Sequence, residues 1–265
     1  MGLHSKHRLV VVGNGMVGHR FLEELCDRAD SRDYQITVFC AEPRLAYDRV
    51  HLSSYFSHHT SEELSLVKPG FYERHGIEVR LGEAVKQIDR ATQQVHSNKG
   101  STVGYDTLIL ATGSYPWVPP ITGAQHHECF VYRTIEDLKA IRAAAKQGKS
   151  GVVIGGGLLG LEAAGALKAL GLQTHVVEFA PVLMAEQLDR LGGEMLRRTI
   201  ESMGVLVHTS KQTKEIHMHA GKTAAHRLEF ADGSELEVDV VVFSTGIRPQ
   251  DTLGRYGDLA IAERG

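Results

Sequence analysis

Cysteine is scarce in this sequence, and its three copies stand far apart in a chain of 265 residues. Cys26, Cys40 and Cys129 form no C-x-x-C pair and no zinc-ligand spacing, so a zinc module is not expected. We expect these cysteines to be reduced and mostly buried, as is typical of a cytoplasmic protein.

A surplus of positive charge is also missing, because the formal net charge is −3. This balance argues against a nucleic acid or an anionic membrane as partner. No apolar run approaches the length of a membrane span. The opening residues MGLHSKHR lead into a core strand without the apolar region of a signal peptide. The chain is long enough for two modest domains. We expect the protein to be cytoplasmic.

What the sequence does contain is a specific arrangement of glycines. Residues 152–178 read as a β-branched strand, three glycines, an apolar helix and a second strand that ends in an acid. This is the order of a dinucleotide-binding βαβ unit. Gly155 permits the tight turn, Gly157 lets backbone N–H groups approach a pyrophosphate, and Gly160 lets the helix pack closely on the strand. The helix N-terminus adds partial positive charge for the phosphates.

The acid that ends this unit is Glu178, which lies 18 residues after Gly160. A carboxylate here can accept hydrogen bonds from both hydroxyls of an adenosine ribose and would repel a 2′-phosphate. No arginine follows closely, so the pattern favours NADH over NADPH. A glycine-rich turn of an unrelated α/β protein is the alternative interpretation, but it would not require both strands, the helix and the acid.

The same pattern occurs earlier in the chain, so the sequence contains an internal repeat. A strand leads into the glycine loop of residues 13–18, and a helix and a second strand follow. Two such units indicate two dinucleotides, or a flavin and a nicotinamide. Glu42 lies about two residues beyond the second strand, so a ribose contact and a solvated loop acid both remain open. Arg49 could equally pair with a phosphate or be a surface cation.

Each glycine unit is followed by a strand that ends in Thr-Gly, at residues 105–113 and 240–246. Residues 114–120 follow the first of these strands as a stiff, proline-rich linker, which is the best candidate for a domain boundary.

Several other elements are predicted from local patterns. Residues 85–103 alternate like an antiparallel meander, and residues 213–238 like a hairpin with a third strand. A capping box at residues 60–63 predicts a short helix, and residues 187–203 predict a helix with apolar positions. Three methionines are interpreted as core fillers, namely Met184, Met195 and Met203.

Fifteen histidines raise the question of a metal site. The candidate pairs are His58 with His59, His126 with His127, and His217 with His219. Adjacent residues point apart, and only the last pair shares a strand face. No carboxylate or cysteine completes a recognisable set, so solvated histidines and no metal are expected.

Five stretches together resemble one flavoprotein family: GNGMVGHRF, AYDRVHLSSYFSHHT, ATGSYPWVPP, GGGLLGLEAAGAL and EFAPVLMAEQLD. Over residues 7–265 the chain resembles the flavoprotein part of the NAD(P)H-dependent assimilatory nitrite reductase large subunit, in the pyridine nucleotide-disulfide oxidoreductase superfamily. The second stretch discriminates this family, because many reductases share the glycine loops. The resemblance implies an α/β fold of two Rossmann-like domains of the glutathione-reductase type. An NAD(H)-binding domain, residues 119–243, would be inserted in an FAD-binding domain of residues 1–118 and 244–265, whose last part is incomplete.

The resemblance also implies which residues bind the cofactors. For FAD they are Gly13, Gly15 and Gly18 at the pyrophosphate, with Asn14 and Met16 in the same loop, Glu42 near the ribose, Arg49 beside the cofactor, Val85 by the adenine, and Ala111, Thr112 and Gly113 closing the site. For NADH they are Gly155, Gly157, Leu158, Leu159 and Gly160, with Glu162 near the nicotinamide and Glu178 on the ribose. Gly246 is a further cofactor-binding residue.

The implied chemistry is carried by the cofactors. A hydride would move from the nicotinamide to the flavin, and electrons would then leave one at a time. The protein must hold the rings and exclude water, and no side-chain nucleophile or acid–base pair is needed. Cys26 has no close partner cysteine, so a redox disulfide like that of glutathione reductase is not expected.

Three functions stay open. Family members continue into iron–sulfur and siroheme regions whose ligands are absent here, so we interpret the sequence as truncated and unable to reduce nitrite to ammonia alone. It could be the electron-input module for that downstream redox domain. It could be a stand-alone reductase of a ferredoxin or rubredoxin type of protein, although such reductases commonly carry a lysine where Ser54 follows Leu52 and Ser53. It could also be a non-catalytic nucleotide-binding fragment. An unpaired sheet edge would favour association, so a homo-oligomer is one expectation.

Overall fold

The computed structural model describes residues 6–28, 31–56, 60–218 and 225–263, so His58, His59 and His219 lie outside the described residues. The chain divides into two compact units. The first comprises Met1–Arg49, Ser61–Tyr115 and Pro249–Gly265, and the second comprises Val50–Thr60 and Pro116–Arg248. The chain passes between them after Arg49, Thr60, Tyr115 and Arg248, and the domain boundaries predicted after residues 118 and 243 stay a prediction. Sequence reasoning did not indicate that Val50–Thr60 belongs with the second unit.

A parallel sheet of four strands forms the centre of the first unit, in the order β3-β2-β1-β7. Its strands are β1 (His7–Val12), β2 (Tyr34–Cys40), β3 (Glu78–Leu81) and β7 (Thr107–Leu110), and its helices are α1 (Met16–Arg28), α2 (Phe71–Arg74) and α6 (Thr252–Tyr256). Residues 9–12 of β1 are all buried, as expected for a parallel strand covered on both faces.

The two faces of β1 contribute to two separate cores, because successive side chains point to opposite sides of a sheet. Leu9 and Val11 pack with residues of α1 and α2. Val10 and Val12 pack with the antiparallel meander, whose strands are β4 (Val85–Asp89), β5 (Gln94–Ser97) and β6 (Thr102–Gly104). The predicted meander is therefore confirmed.

The second unit contains a parallel sheet of five strands in the order β12-β11-β10-β16-β9. Its strands are β9 (Cys129–Val131), β10 (Ser150–Ile154), β11 (Gln173–Val177), β12 (Leu206–His208) and β16 (Val240–Phe243), and its helices are α3 (Ile135–Ala145), α4 (Leu158–Ala169) and α5 (Arg190–Ser202). The predicted α/β class, with parallel sheets of the Rossmann type, is confirmed.

An antiparallel sheet covers one face of this parallel sheet. It consists of β13 (Thr213–Met218), β14 (His226–Phe230) and β15 (Glu235–Val238), as the hairpin pattern predicted. Its buried Ile216 and Leu228 pack with Val152 and Val241 of the parallel sheet. A further two-stranded sheet joins β8 (Ser114–Pro116) to β17 (Ile247–Pro249).

The helix start of α3 follows the local rules closely. The Thr134 side chain accepts from the Asp137 backbone N–H at 3.1 Å, and the Asp137 carboxylate accepts from the Thr134 backbone N–H at 2.8 Å. This is a complete capping box, which satisfies two N–H groups that the helix leaves unpaired.

Two local predictions were wrong. Residues 61–64 form a turn instead of a helix, because only one helical turn of chain is available there and it is too short to propagate. Met195 and Met203 are 70% and 57% exposed, so they are not core fillers. The small Gly193, rather than a methionine, is the buried position of α5, because the helix approaches Val182 there.

No helix among the described residues is long and apolar enough to cross a membrane.

Two stacked histidines in the second unit predict a dependence of stability on pH. His175 Nδ1 and His208 Nε2 lie 3.0 Å apart, with their ring planes at 11°. Burial, and then the neighbouring His208, lower the pKa of His175 to about 4. Burial and nearby Lys211 also lower the pKa of His208. Two cationic rings at this distance would repel, so the folded chain binds protons less readily than the unfolded chain.

We therefore expect the free energy of unfolding to fall as pH drops from about 6.5 towards 4, by about 3 kcal/mol from His175. Urea titrations at pH 7 and pH 5 would measure the part of this loss that occurs above pH 5, and His175→Gln should reduce it. His127→Gln removes an exposed histidine and should leave the pH slope unchanged. Equal pH slopes in the wild type and His175→Gln would contradict the explanation.

Candidate functional site

The second glycine loop is shaped by two contacts that exclude any side chain. Gly155 has φ of 117°, and a Cβ there would lie 2.2 Å from the Ser244 carbonyl oxygen. A Cβ on Gly160 would lie 1.9 Å from the Gly155 oxygen. Gly157, by contrast, has no heavy atom within 4 Å of the position that a Cβ would take. Gly155 and Gly160 therefore allow close packing, and Gly157 leaves an open space at the N-terminus of α4.

Glu178 stands at the end of β11 and faces this loop. Its Oε2 accepts from the Gly156 N–H at 2.5 Å, and its Oε1 accepts from the Ala180 N–H at 2.7 Å. These two charge-assisted hydrogen bonds hold the carboxylate in one orientation beside the glycine loop.

A cavity of about 830 Å³ opens where β10 and β16 end, and both strands contribute their last residues, Ile154 and Phe243. Parallel α/β sheets usually bind ligands at this end of the strands. Six of the predicted residues line the cavity: Gly155, Gly157, Leu158, Leu159, Glu178 and Gly246.

Two other predicted residues, Gly160 and Glu162, are not among the described residues that line this cavity. Gly160 packs beneath the loop. Glu162 points towards the short 3₁₀ helix Leu52–Phe56, where its Oε2 accepts from the Ser53 hydroxyl at 3.4 Å. The chain segment that supplies Ser53 thus contributes to the surroundings of Glu162.

Sequence reasoning missed several residues of the cavity wall, including Trp117, Tyr132 and Lys211. Trp117 is tied to the Thr-Gly end of the strand, because its N–H donates to the Gly246 oxygen at 2.9 Å and its carbonyl accepts from the Thr245 hydroxyl at 2.5 Å. Burial, with the charge of Glu162 adding to it, raises the pKa of Tyr132. Only the linker position of Trp117 carried a signal in the sequence.

The first glycine loop repeats the packing of the second. Gly13 has φ of 109°, and a Cβ there would lie 2.2 Å from the Ala111 carbonyl oxygen. A Cβ on Gly18 would lie 2.1 Å from the Gly13 oxygen, whereas Gly15 has no heavy atom within 4 Å of that position. The structure thus brings together Ala111 and the glycines that the resemblance grouped with it.

A buried chain of polar side chains anchors this loop. Tyr72 donates its hydroxyl proton to Asn14 Oδ1 at 2.8 Å, and His19 Nδ1 lies 3.0 Å from the same hydroxyl. Burial raises the pKa of Tyr72 to about 12 and lowers the pKa of His19, so both are uncharged at neutral pH. Asn14 therefore holds the loop from beneath.

Glu42 is paired with Arg49, and it also accepts from the Tyr47 hydroxyl at 2.8 Å. The Arg49 guanidinium lies 4.8 Å from the Tyr47 ring centre. The two residues left open by the sequence, Glu42 and Arg49, are thus partners of each other in the first unit.

The remaining predicted residues occupy different surroundings. Val85 is buried in the core of the first unit. The Thr112 hydroxyl donates to the Gln250 oxygen at 2.7 Å, and Gly113 has φ of 70° with open space beside it. Met16 lines a second cavity along α1.

The cysteines are free, and burial raises the pKa of two of their thiols. The pKa of Cys129 is raised to about 11, and that of Cys40 is also raised. These two thiols are therefore protonated at neutral pH and are poor nucleophiles.

The expectation that no carboxylate completes a set with the strand histidines was wrong, because two glutamates lie beside His217. His217 lies 3.6 Å from Glu215 and 3.4 Å from Glu229, and one ligand atom from each lies within 4.8 Å of the others. The hairpin register places Glu215 opposite Glu229, which sequence distance did not reveal. Lys214 also pairs with Glu229, at 2.8 Å, so the cluster is explained as a partly exposed group of ion pairs.

Comparison with known proteins agrees with this geometry. The family model for pyridine nucleotide-disulphide oxidoreductase matches residues 7–265. The large subunit of NADH nitrite reductase from Escherichia coli (strain K12) is 65% identical over 261 residues, which are 98% of this chain and 31% of that protein. The chain therefore spans about a third of that relative, and the resemblance drawn from the motifs is confirmed.

Two solved structures have similar folds. An NAD-dependent persulfide reductase from A. fulgidus superposes with a TM-score of 0.88 at 28% identity, covering 97% of this chain and 49% of that one. Putidaredoxin reductase, in its covalent complex with putidaredoxin, superposes with a TM-score of 0.88 at 25% identity, covering 98% of this chain and 63% of that one.

Proposed function

Because this chain belongs to the pyridine nucleotide-disulphide oxidoreductase family, we propose that it is an NADH-dependent flavoprotein module. FAD would bind at the first glycine loop and NADH at the second. Electrons would pass from NADH through FAD to a redox centre outside residues 1–265. The observation that carries this proposal is the pair of open glycine positions, Gly15 and Gly157, each set in a loop that is otherwise closely packed.

The cavity of the second unit supports the NADH assignment. Its open glycine lies at the N-terminus of α4, where backbone N–H groups and the helix dipole favour a pyrophosphate. The fixed carboxylate of Glu178 lies on the same wall and is suited to accept from ribose hydroxyls. A 2′-phosphate would meet that carboxylate, so NADH is favoured over NADPH.

The residues of the first unit fit FAD by the same physical test. The spaces beside Gly15 and beside Gly113 hold no protein atoms. The first glycine loop packs against Ala111, and its Asn14 accepts from the Tyr72 hydroxyl. We propose that Gly13, Gly15 and Gly18 line the pyrophosphate and that Thr112 and Gly113 close the site. Glu42 and Arg49 form an ion pair at the end of β2, and we propose that this pair lies beside the cofactor.

A bound FAD would supply the capacity to take up a hydride and to release electrons singly. The chain's own residues would bind and orient the two nucleotides. Leu158 and Leu159 are 61% and 43% exposed, and both contribute apolar surface to the cavity. We propose that they exclude water, and that Glu162, held by Ser53, lies near the nicotinamide. The protonated Cys40 and Cys129 thiols take no part.

Nitrite reduction to ammonia, in the cytoplasm, is the overall reaction that we propose this module serves. The similarity to the large subunit of NADH nitrite reductase supports this choice. The siroheme and iron–sulfur cluster of such an enzyme would belong to the sequence that these 265 residues do not cover. Reduction of a small electron-transfer protein is the second candidate, supported by the similar fold of putidaredoxin reductase.

The absorption spectrum of the purified chain tests the proposal. We expect the bands of oxidised flavin, and anaerobic NADH should bleach them because hydride enters the flavin. Ferricyanide should then be reduced, whereas nitrite should not yield ammonia with this chain alone. A small ferredoxin that accepts electrons as fast as ferricyanide would favour the second candidate.

Gly157→Ala provides a matched control for this experiment. A methyl group there meets no protein atom, so the variant should keep its flavin, yet it should bleach far more slowly because the methyl occupies phosphate space. A wild-type chain that carries no flavin after reconstitution with FAD would leave only nucleotide binding and would overturn the proposed electron transfer.

A further inference from the structure

Lys211 is a basic side chain beside the proposed adenosine end of the NADH site. It lines the same cavity as Glu178, and its backbone N–H donates to the Glu178 carbonyl oxygen at 3.0 Å. A lysine next to the ribose carboxylate is a natural ligand for a 2′-phosphate. Its position alone would therefore favour NADPH, against the preference proposed from Glu178.

The ammonium of Lys211 is held elsewhere by a turn between β14 and β15. Its Nζ lies 2.5 Å from Asp232 Oδ2 and 2.7 Å from Ser234 Oγ, and 5.5 Å from the centre of the Phe230 ring. Asp232 is itself fixed, because its Oδ1 accepts from the Ser234 N–H at 3.0 Å and from the Ser234 hydroxyl at 2.6 Å. The ammonium thus has a preorganised set of partners.

A second lysine on this wall is paired in a similar way. Lys214 also lines the cavity, and its Nζ lies 2.8 Å from Glu229. Both lysines are therefore neutralised by carboxylates of the antiparallel sheet. A 2′-phosphate, with up to two further negative charges, would have to compete with Asp232 for Lys211 while facing Glu178.

We propose that the Asp232–Ser234 turn is a specificity determinant for NADH over NADPH. It holds the Lys211 ammonium in an ion pair and so withholds it from a 2′-phosphate. This inference rests on the proposed NADH site and adds a second element to the discrimination by Glu178. Removing the carboxylate of Asp232 would release the cation towards the adenosine end of the cavity.

The test compares the dissociation constants of ADP-ribose and its 2′-phosphate, measured by calorimetry on the full chain. Neither probe carries a nicotinamide, so the measurement does not depend on flavin or on electron transfer. Asp232→Asn should improve binding of the 2′-phosphate relative to ADP-ribose about tenfold. The double variant Asp232→Asn/Lys211→Met should lose that gain, because the gain requires the released ammonium.

Two controls separate this effect from loss of structure. Asp89→Asn makes the same change in a turn of the first unit, where Asp89 Oδ1 accepts from two backbone N–H groups, and should leave the ratio unchanged. Ser234→Ala removes the other partner of the ammonium and should shift the ratio in the same direction, by a smaller factor. This second variant serves as the test if Asp232→Asn does not fold.

The outcomes distinguish the inference from the function on which it rests. If the wild type binds ADP-ribose but neither the Asp232 nor the Ser234 variant changes the ratio, the turn does not set specificity and the proposed function stands. An equal gain in Asp232→Asn with and without Lys211 would also overturn the inference. If the wild type binds neither probe, the NADH site itself is wrong and the inference fails with it.

Discussion

Gly160→Ala should destabilise the second unit by about 3 kcal/mol or more, and Gly157→Ala should leave its stability nearly unchanged. The reason is the difference in space around the two glycines. A Cβ on Gly160 would lie 1.9 Å from the Gly155 backbone oxygen, which cannot move without breaking the turn before α4. A Cβ on Gly157 meets no heavy atom within 4 Å, and φ of −81° is open to alanine.

For ligand binding, measured on the folded fraction of each variant, Gly157→Ala should have the larger effect and Gly160→Ala the smaller one. Gly157→Ala should weaken the binding of NADH and of ADP-ribose at least tenfold, because its methyl group would occupy the space proposed for the pyrophosphate. Urea denaturation followed by circular dichroism would measure stability, and calorimetry would measure binding. Normal ADP-ribose affinity in a folded Gly157→Ala variant would show that the phosphates lie elsewhere.

Glu178→Arg should lower kcat/KM for NADH about a hundredfold and make NADPH the preferred nucleotide. The carboxylate would no longer accept from ribose hydroxyls, and hydrogen bonds to a charged group contribute about 1.5–3 kcal/mol each. The guanidinium would instead attract a 2′-phosphate. Steady-state kcat/KM values for the two nucleotides, with ferricyanide as acceptor, would measure the change.

Two further variants control for indirect effects of this substitution. Glu178→Gln keeps an oxygen that can accept from the Gly156 or Ala180 N–H, so the loop should stay in place. Because glutamine has neither a negative nor a positive charge, the variant should bind NADH more weakly without binding NADPH more tightly. Glu186→Arg reverses a charge at an exposed position and should change neither nucleotide. An unchanged preference in a folded Glu178→Arg variant would contradict the ribose contact.

The exposed residues of α5 show where local pattern and tertiary environment diverge. Leu191 and Met195 are apolar and spaced for one helix face, yet they are 75% and 70% exposed. Periodicity identifies which residues share a face, but it does not say whether another element covers that face. The buried approach is made at Gly193, because a small residue allows the helix to lie close to Val182.

The backbone geometry of the glycine loops could be predicted from the sequence, because it is a local property. Gly155 must adopt a positive φ, and Gly160 must allow an approach that no side chain permits, whatever lies further along the chain. Strand, loop, helix and terminal acid therefore indicated the nucleotide units and the α/β class from sequence alone.

Only the tertiary structure decided which distant side chains meet. Tyr72 beneath Asn14, His208 against His175, and Asp232 on Lys211 are each pairs whose members lie more than twenty residues apart or on different strands. No periodicity predicts such contacts, because they depend on strand order and register across the sheets. The glycine pattern therefore determined where a nucleotide could approach the backbone, whereas the packing of the sheets determined which charges surround it.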